Sequence, residues 1–364
     1  MSVLADWLAR QAPAWLDPAN AGPPLTPAQR RALLAIVRCR TPALGGQVYV
    51  CTSCLETHYA YHSCHHRACP RCGGARTAEW TKRQTERLLP VPYFLITFTV
   101  PEALRPLCAA RPELLYDLLF THSALALQSV AARPQHLGGE LGMIGVLHTW
   151  GRQLQLHPHI HYIVPGGALR ADGNKWNKSR QPEWLLPNDA LAAAFRRAME
   201  EALRAQAPEL HAQVPDSVWR EAWWVHTQPA GSGEAVVRYL ARYVSRTAIS
   251  DERILEATAE SVRFAYTGTD DGLRHECTLS AREFMRRYLQ HVLPVGLHRI
   301  RYFGWLHPAA KARRLQVETL LAVLIVVRTK EDLPPPWHLL CPRCENFTLV
   351  RVGRLARAPP SCVP

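Results

Sequence analysis

Leu156-His-Pro-His-Ile-His-Tyr-Ile-Val164 reads as a strand with two unlike faces. Side chains two apart share a face of a strand. His159 and His161 therefore point one way, and Ile160 points the other way, toward a core. Two imidazoles on one face of a rigid strand form a bidentate site for a divalent cation. His157 shares that face but stands at the start of the strand, before a proline. Met143 to Trp150 is a second strand candidate, and Gly151-Arg-Gln-Leu-Gln155 is short enough to join the two as a hairpin. A turn near residues 152 to 155 sets His148 opposite His159. His148 is thus the preferred third ligand, with His157 and Gln155 as rivals.

Arg238-Tyr-Leu-Ala-Arg-Tyr-Val-Ser-Arg246 is the second informative stretch. On a helix running from about Glu234 to Ser245, Tyr239 and Tyr243 lie one turn apart on the same face. Arg238, Arg242 and Arg246 line the neighbouring face, where they suit phosphate groups. The plainer alternative is an amphipathic helix with tyrosines in the core and arginines in water.

Outward from these stretches, Tyr93-Phe-Leu-Ile-Thr-Phe-Thr-Val100 is rich in aromatic and β-branched residues and predicts another strand. Trp219 to Thr227 and His298 to Phe303 predict two more. Thr26-Pro27-Ala28-Gln29 is a capping box with proline at the first helical position, which starts a helix running toward Val37. Helices are also predicted over Ala75–Leu89, 111–131, from Asn188 with Leu191, Phe195 and Met199 on one face, and over Ala281–Val292. The helix after residue 75 carries Lys82 and Arg83. The last thirty residues are proline-rich and polar and read as a loose tail. Strands separated by helices, with a hairpin, predict an α+β fold built on an antiparallel sheet.

Six of the eleven cysteines fall between Cys39 and Cys72. Cys51-Thr-Ser-Cys54 and Cys69-Pro-Arg-Cys72 are two CxxC knuckles, the pattern that holds a tetrahedral zinc ion. Cys39, His58, His62, Cys64, His65 and His66 surround this quartet. They are candidates for a second zinc site or for replacing one ligand of the first. Cys341-Pro-Arg-Cys344 is a third knuckle, with Cys362 and His338 as candidate mates. Cys108 and Cys277 read as buried apolar residues.

The chain has 364 residues with 43 Lys plus Arg against 30 Asp plus Glu, a net charge of +13. That surplus favours a polyanionic partner, nucleic acid first. The longest purely apolar run, Leu320 to Val327, falls far short of the ~20 residues needed to span a bilayer. No membrane partner is expected. The N-terminus lacks a basic stretch followed by an apolar one, so a cytoplasmic protein is expected. There is no GxxxxGK[ST] loop, which speaks against a fused helicase.

Together these pieces resemble the two-tyrosine HUH transposases of bacterial insertion sequences, the IS-ninety-one type, from about residue 30 to 315. The shared marks are Cys39-Arg-Thr-Pro-Ala-Leu-Gly-Gly46, both knuckles, Tyr61-His-Ser-Cys64 and Leu89-Pro-Val-Pro-Tyr-Phe94. They continue with His148-Thr-Trp-Gly151, His157-Pro-His-Ile-His161 with Val164-Pro-Gly-Gly167, and Tyr239-x-x-x-Tyr243. In the family the stretch before the second knuckle commonly reads Asn-Arg-His. Here it is His66-Arg67-Ala68, which leaves His65 or His66 to substitute if that histidine is a ligand.

The resemblance implies a zinc-ribbon-like domain over residues 1–92 and a catalytic palm over 93–315, an antiparallel sheet with flanking helices. A C-terminal helix and tail, 316–364, would follow. It implies cleavage and joining of single-stranded DNA at element ends through 5′-phosphotyrosine formed by Tyr239 and Tyr243, with Mg²⁺ or Mn²⁺ on His148, His159 and His161. A rolling-circle replication initiator or relaxase would use the same chemistry. A zinc-ribbon DNA-binding protein without catalysis is the alternative of a different class.

Overall fold

In a computed structural model, residues 2–19, 24–244, 248–268, 270–323 and 339–358 are described; at 75 and 242–244 only the backbone is. From the N-terminus, helices α1 (Val3–Leu16) and α2 (Pro27–Arg38) lead to strands β1 (Gly46–Cys51) and β2 (Thr57–Tyr61), then helix α3 (Gly74–Thr85). Strand β3 (Tyr93–Thr99), helices α4 (Arg105–Ala110) and α5 (Pro112–Ala131), and strands β4 (Gly142–Trp150) and β5 (Leu156–Pro165) follow. A small ribbon, β6 (Gly167–Leu169) and β7 (Trp176–Lys178), precedes helices α6 (Asn188–Gln206), α7 (Pro208–His211) and α8 (Asp216–Arg220). Next come strand β8 (Val225–Pro229), helix α9 (Glu234–Val244), and strands β9 (Ile254–Ala257), β10 (Ser261–Thr267) and β11 (Arg274–Ser280). Helix α10 (Ala281–Leu289), strand β12 (Ile300–Gly304), helix α11 (Lys311–Leu320) and strand β13 (Leu349–Leu355) complete the order. The fold is mixed α+β with antiparallel sheets.

The central sheet has the order β12-β4-β5-β3-β8, and every pairing in it is antiparallel. Strict alternation divides its faces. Phe94, Ile96 and Phe98 on β3, Met143 and Leu147 on β4, and Ile160, Tyr162 and Val164 on β5 enter one core with α5 and α6. Leu95, Ile144, Val146 and Ile163 take the other face, where Val237 and Leu240 of α9 cover them. Further along the same strands that second face turns polar, with His148, His159, His161, Thr97 and Thr99. Helix α9 therefore seals half of the face and leaves a cleft over the rest.

The N-terminal capping box is formed in full: the Thr26 side chain accepts from the Gln29 N–H, and the Gln29 side chain accepts from the Thr26 N–H. Four expectations need correction. Residues 219–227 are not one strand: α8 ends at Arg220 and β8 starts at Val225. Pro215 and Asp216 start that helix, and the peptide then extends through Glu221. Asn188 does not cap α6; its side chain instead accepts a hydrogen bond from the Thr227 hydroxyl. The helices expected to run to Leu89 and Val292 end at Thr85 and Leu289.

The fourth correction is the largest. The described part of the tail, 339–358, is not loose: β13 pairs antiparallel with β1 and completes the sheet β13-β1-β2. Gly45 allows the close approach, with a φ of +66° and room for no Cβ, which would fall 2.6 Å from the Leu355 carbonyl oxygen.

Candidate metal centres and the tyrosine cleft

The hairpin β4–β5 places His148 directly opposite His159, as the turn length predicted, and a bulge between His148 and Trp150 absorbs the turn. Ring centroids of His148 and His161 are 4.4 Å apart, His159 and His161 4.9 Å, and His148 and His159 5.0 Å. One nitrogen from each ring lies within 4.8 Å of the others, close enough to share one ion. His157 and Gln155 are outside this group. The His159 Nδ1–H donates to the His157 carbonyl at 2.7 Å, and His161 Nδ1 bonds the Thr97 hydroxyl at 2.9 Å. Each of these bonds engages Nδ1 and leaves Nε2 as that ring's donor to an ion, the arrangement that orients imidazole ligands.

Burial pushes His159 down to about 4 and holds His148 and His161 well below the usual histidine range. Neutral imidazole is the form that binds a metal. Trp150 stacks on His148 at 5.8 Å with 9° between the rings, and the buried Arg299 guanidinium sits over the Trp150 ring. The position of His148 is thus set from behind as well as across the strand pair.

Helix α9 brings Tyr239 to the rim of the cleft. Its neighbours Val237 and Leu240 are buried, whereas Tyr239 is 38% exposed and meets His161 edge-on at 6.1 Å. Tyr243 and Arg242 lie on α9, but their side chains fall outside the described residues, as does Arg246 altogether. Arg238 pairs with Glu234 at 2.8 Å, and Arg83 with Glu79 at 2.6 Å, both exposed i,i+4 pairs; Lys82 is exposed. The cleft encloses about 980 Å³. Its described lining includes Arg152 and Arg253 and contains no carboxylate. Thr97, Trp224, His226 and these two arginines were not singled out from the sequence. A hydroxyl in an apolar strand at Thr97 is the one signal there that marks them.

The cysteines assemble differently from the expected quartet of Cys51, Cys54, Cys69 and Cys72. Cys69 and Cys72 gather with Cys39 and Cys64, while Cys51 and Cys54 gather with Cys341 and Cys344. Two bonds of about 2.3 Å from a tetrahedral zinc set its sulfurs about 3.8 Å apart. The Sγ separations Cys51–Cys344, Cys54–Cys341 and Cys64–Cys72 are 3.6, 3.7 and 3.6 Å, so both sets fit zinc. Hydrogen bonds from Cys64 and then Cys69 pull the Cys72 thiol down, toward the thiolate that zinc requires. His66 stands outside the first set: its Nδ1 accepts from the Ala68 N–H, and Cys39 and Cys64 complete the four without any histidine. The C-terminal knuckle finds its mate in Cys51 and Cys54; Cys362 and His338 lie outside the described residues. Cys108 is buried in the main core, as expected, and Cys277 packs half-buried beside α10.

An antiparallel sheet bearing a three-histidine group, preceded by a four-cysteine zinc module, defines a transposase-type chain with an N-terminal zinc-binding domain. Comparison with known proteins bears this out. The family described as "Putative transposase" matches residues 142–314, and the "Transposase zinc-binding domain" matches residues 9–100. The chain is 37% identical to the "Putative transposase y4qJ" of Sinorhizobium fredii over 357 residues, covering 93% of this chain and 88% of the relative. It is 31% identical to the "Transposase for insertion sequence element IS801" of Pseudomonas savastanoi pv. phaseolicola over 331 residues, 86% of this chain and 77% of the relative. No solved structure matches it. The chain belongs to the IS91 family of transposases.

Proposed function

We propose that this chain nicks and rejoins single-stranded DNA at insertion-sequence ends through 5′-phosphotyrosine intermediates, the HUH-type chemistry of rolling-circle-like transposition. The observation that carries this reading is one cleft in which three imidazoles converge beside the Tyr239 ring, with arginines and no carboxylate in its described lining. Such a lining attracts a polyanion. His148, His159 and His161 are assigned to a divalent ion. Their nitrogen donors favour Mn²⁺ over the harder Mg²⁺, though both fit the three-point arrangement. When bound, the ion supplies Lewis-acid polarisation of the scissile phosphate.

The rest of the chemistry belongs to the chain. Thr97 and the His157 carbonyl fix the ring orientations of His161 and His159. Tyrosine is neutral at pH 7, with an ordinary pKa of about 10, so its oxygen needs a positive field to attack. The Tyr239 oxygen forms a bond to phosphorus as the bond to the 3′ oxygen breaks. The phenolic proton is lost to solvent, and the leaving oxygen takes one up to become a 3′-hydroxyl. The new phosphodiester conserves the bond energy, so rejoining by a 3′-hydroxyl needs no nucleotide cofactor. Tyr243, one helical turn away, is assigned a second attack before the first product leaves. Arg238, Arg242 and Arg246, with Lys82 and Arg83 on α3, are assigned to the DNA backbone.

The test is a covalent adduct between the protein and labelled single-stranded oligonucleotides from the element ends, with Mg²⁺ or Mn²⁺ present. Phenylalanine deletes only the hydroxyl. The double variant Tyr239→Phe, Tyr243→Phe should fold, keep its zinc and bind DNA, yet give no adduct. An adduct persisting in it would move the attack to another residue.

A further inference from the structure

Two rows of side chains cross the open face of the central sheet. His161 lies opposite Thr97, and Thr97 lies opposite His226. One step along, His148 lies opposite His159 and His159 opposite Thr99, and the Thr99 N–H donates to the carbonyl of Trp224 on the edge strand side. Cross-strand partners share a face. Trp224 therefore ends the row that begins at the histidine group. It stands two strands from His159, about 10 Å at ordinary strand spacing.

Trp224 is unlike its neighbours. Trp223 is 5% exposed, locked against Phe195 in the core, while Trp224 is 55% exposed. Its ring stacks on His226, with centroids 5.5 Å apart and 28° between the planes. One face is thereby supported from within the protein. The ring also forms the ridge between two cavities. The histidine cleft of about 980 Å³ and an adjoining cavity of about 470 Å³ are both lined by Thr99, His157 and Trp224. Arg105, paired with Glu102 at 3.2 Å, and Glu221 line the far cavity, whereas Arg152 and Arg253 line the near one with no carboxylate among its described residues.

We propose that Trp224, backed by His226, is the stacking platform for one unpaired nucleobase of the substrate strand, roughly one or two nucleotides from the scissile phosphate. The proposal rests on the single-strand reading above. An indole face held flat at the edge of an electropositive cleft takes any base, because every base has a π-face. Duplex DNA buries those faces in its own stack, so the platform selects for a strand already open at this point. It also fixes the distance between the gripped base and the phosphate presented to Tyr239, which sets the register of the cut.

The test uses element-end oligonucleotides carrying 2-aminopurine at one flanking position at a time, read by equilibrium binding rather than cleavage. One position should be strongly quenched by the protein as isolated, and Trp224→Ala should abolish that quenching. Trp224→Ala should weaken binding of the normal strand about 10- to 100-fold, and Trp224→Phe should restore most of it. An abasic site at the quenched position should cost the unaltered protein a similar factor and cost Trp224→Ala almost nothing. The same melting temperature in both variants would show that an exposed ring has been removed without harm to the core. A full abasic penalty persisting in Trp224→Ala, or no quenched position, would overturn the platform. Absence of a covalent adduct with otherwise normal quenching would instead overturn the cleavage chemistry and leave the platform standing.

Discussion

The two faces of the central sheet are built from the same strands and do opposite work. One face is mainly apolar: Phe98 meets Tyr162 at 5.8 Å and Phe195 at 5.2 Å, both edge-to-face. The other face is apolar where Val237 and Leu240 of α9 cover it and turns to imidazole and hydroxyl beyond them, in the cleft that Tyr239 borders. Each face follows from the period of two, since shifting any strand by one residue would exchange them. The continuous face holds the register, and the divided face can therefore spend three positions on histidines. Burying three imidazoles gains little stability. Its gain is a fixed geometry at a cleft floor.

That contrast can be broken by substitution. The largest effect belongs to the divided face. His159→Ala together with His161→Ala should lower adduct formation by at least ~10⁴-fold, equivalent to more than about 5 kcal/mol of barrier. Its melting temperature should stay close to that of the unaltered protein, and DNA binding should persist because it rests on Lys and Arg. Unfolding of this variant would show that the histidines are structural.

On the continuous face, Phe98→Ala should cost about 3 to 5 kcal/mol of stability, measured by denaturant unfolding. Whatever fraction remains folded should still form the adduct. Loss of activity in fully folded protein would erase the division of labour between the faces.

The smallest effect is a pH slope. With no divalent ion at the histidines, the folded chain refuses a proton that the unfolded chain accepts below about pH 6.5. Stability should therefore fall as pH drops below that value and level off beneath the folded pKa of about 4 for His159. Between pH 7 and pH 5 that one imidazole accounts for about 2 kcal/mol. His159→Ala should flatten the slope by this amount, and Phe98→Ala should leave it unchanged. An equal slope in the protein and in His159→Ala would mean that this imidazole titrates normally.

The legible parts of the molecule were those whose partners are near in sequence. The β4–β5 pairing, with His148 opposite His159, followed from a short turn and alternation, and the α2 start followed from Thr26, Pro27 and Gln29. Strand β8 was misplaced because Trp219 and Trp223 belong to the core by their rings and not by strand periodicity. Pro215 and Asp216 had already committed the segment to a helix. The cysteine groupings were unreadable for a different reason. A CxxC knuckle specifies its own geometry but not its mate, and three knuckles allow several pairings. Val350-Arg-Val352 does alternate, but the partner strand of β13 lies about three hundred residues earlier, and no local signal reaches that far.

The junction of Cys51 and Cys54 with Cys341 and Cys344 also has a meaning in time. Cys54 and Cys341 are 287 residues apart along the chain. At roughly 5 to 20 residues per second, a ribosome makes the second about 15 to 60 s after the first. During that interval the nascent module can close its first zinc site, whose cysteines all precede residue 73, but holds only half of the second. Strand β1 meanwhile waits with one edge uncovered. A product cut short before residue 341 keeps that open edge and two thiols without their mates. The second cysteine set thus closes only once Cys341 and Cys344 have been made.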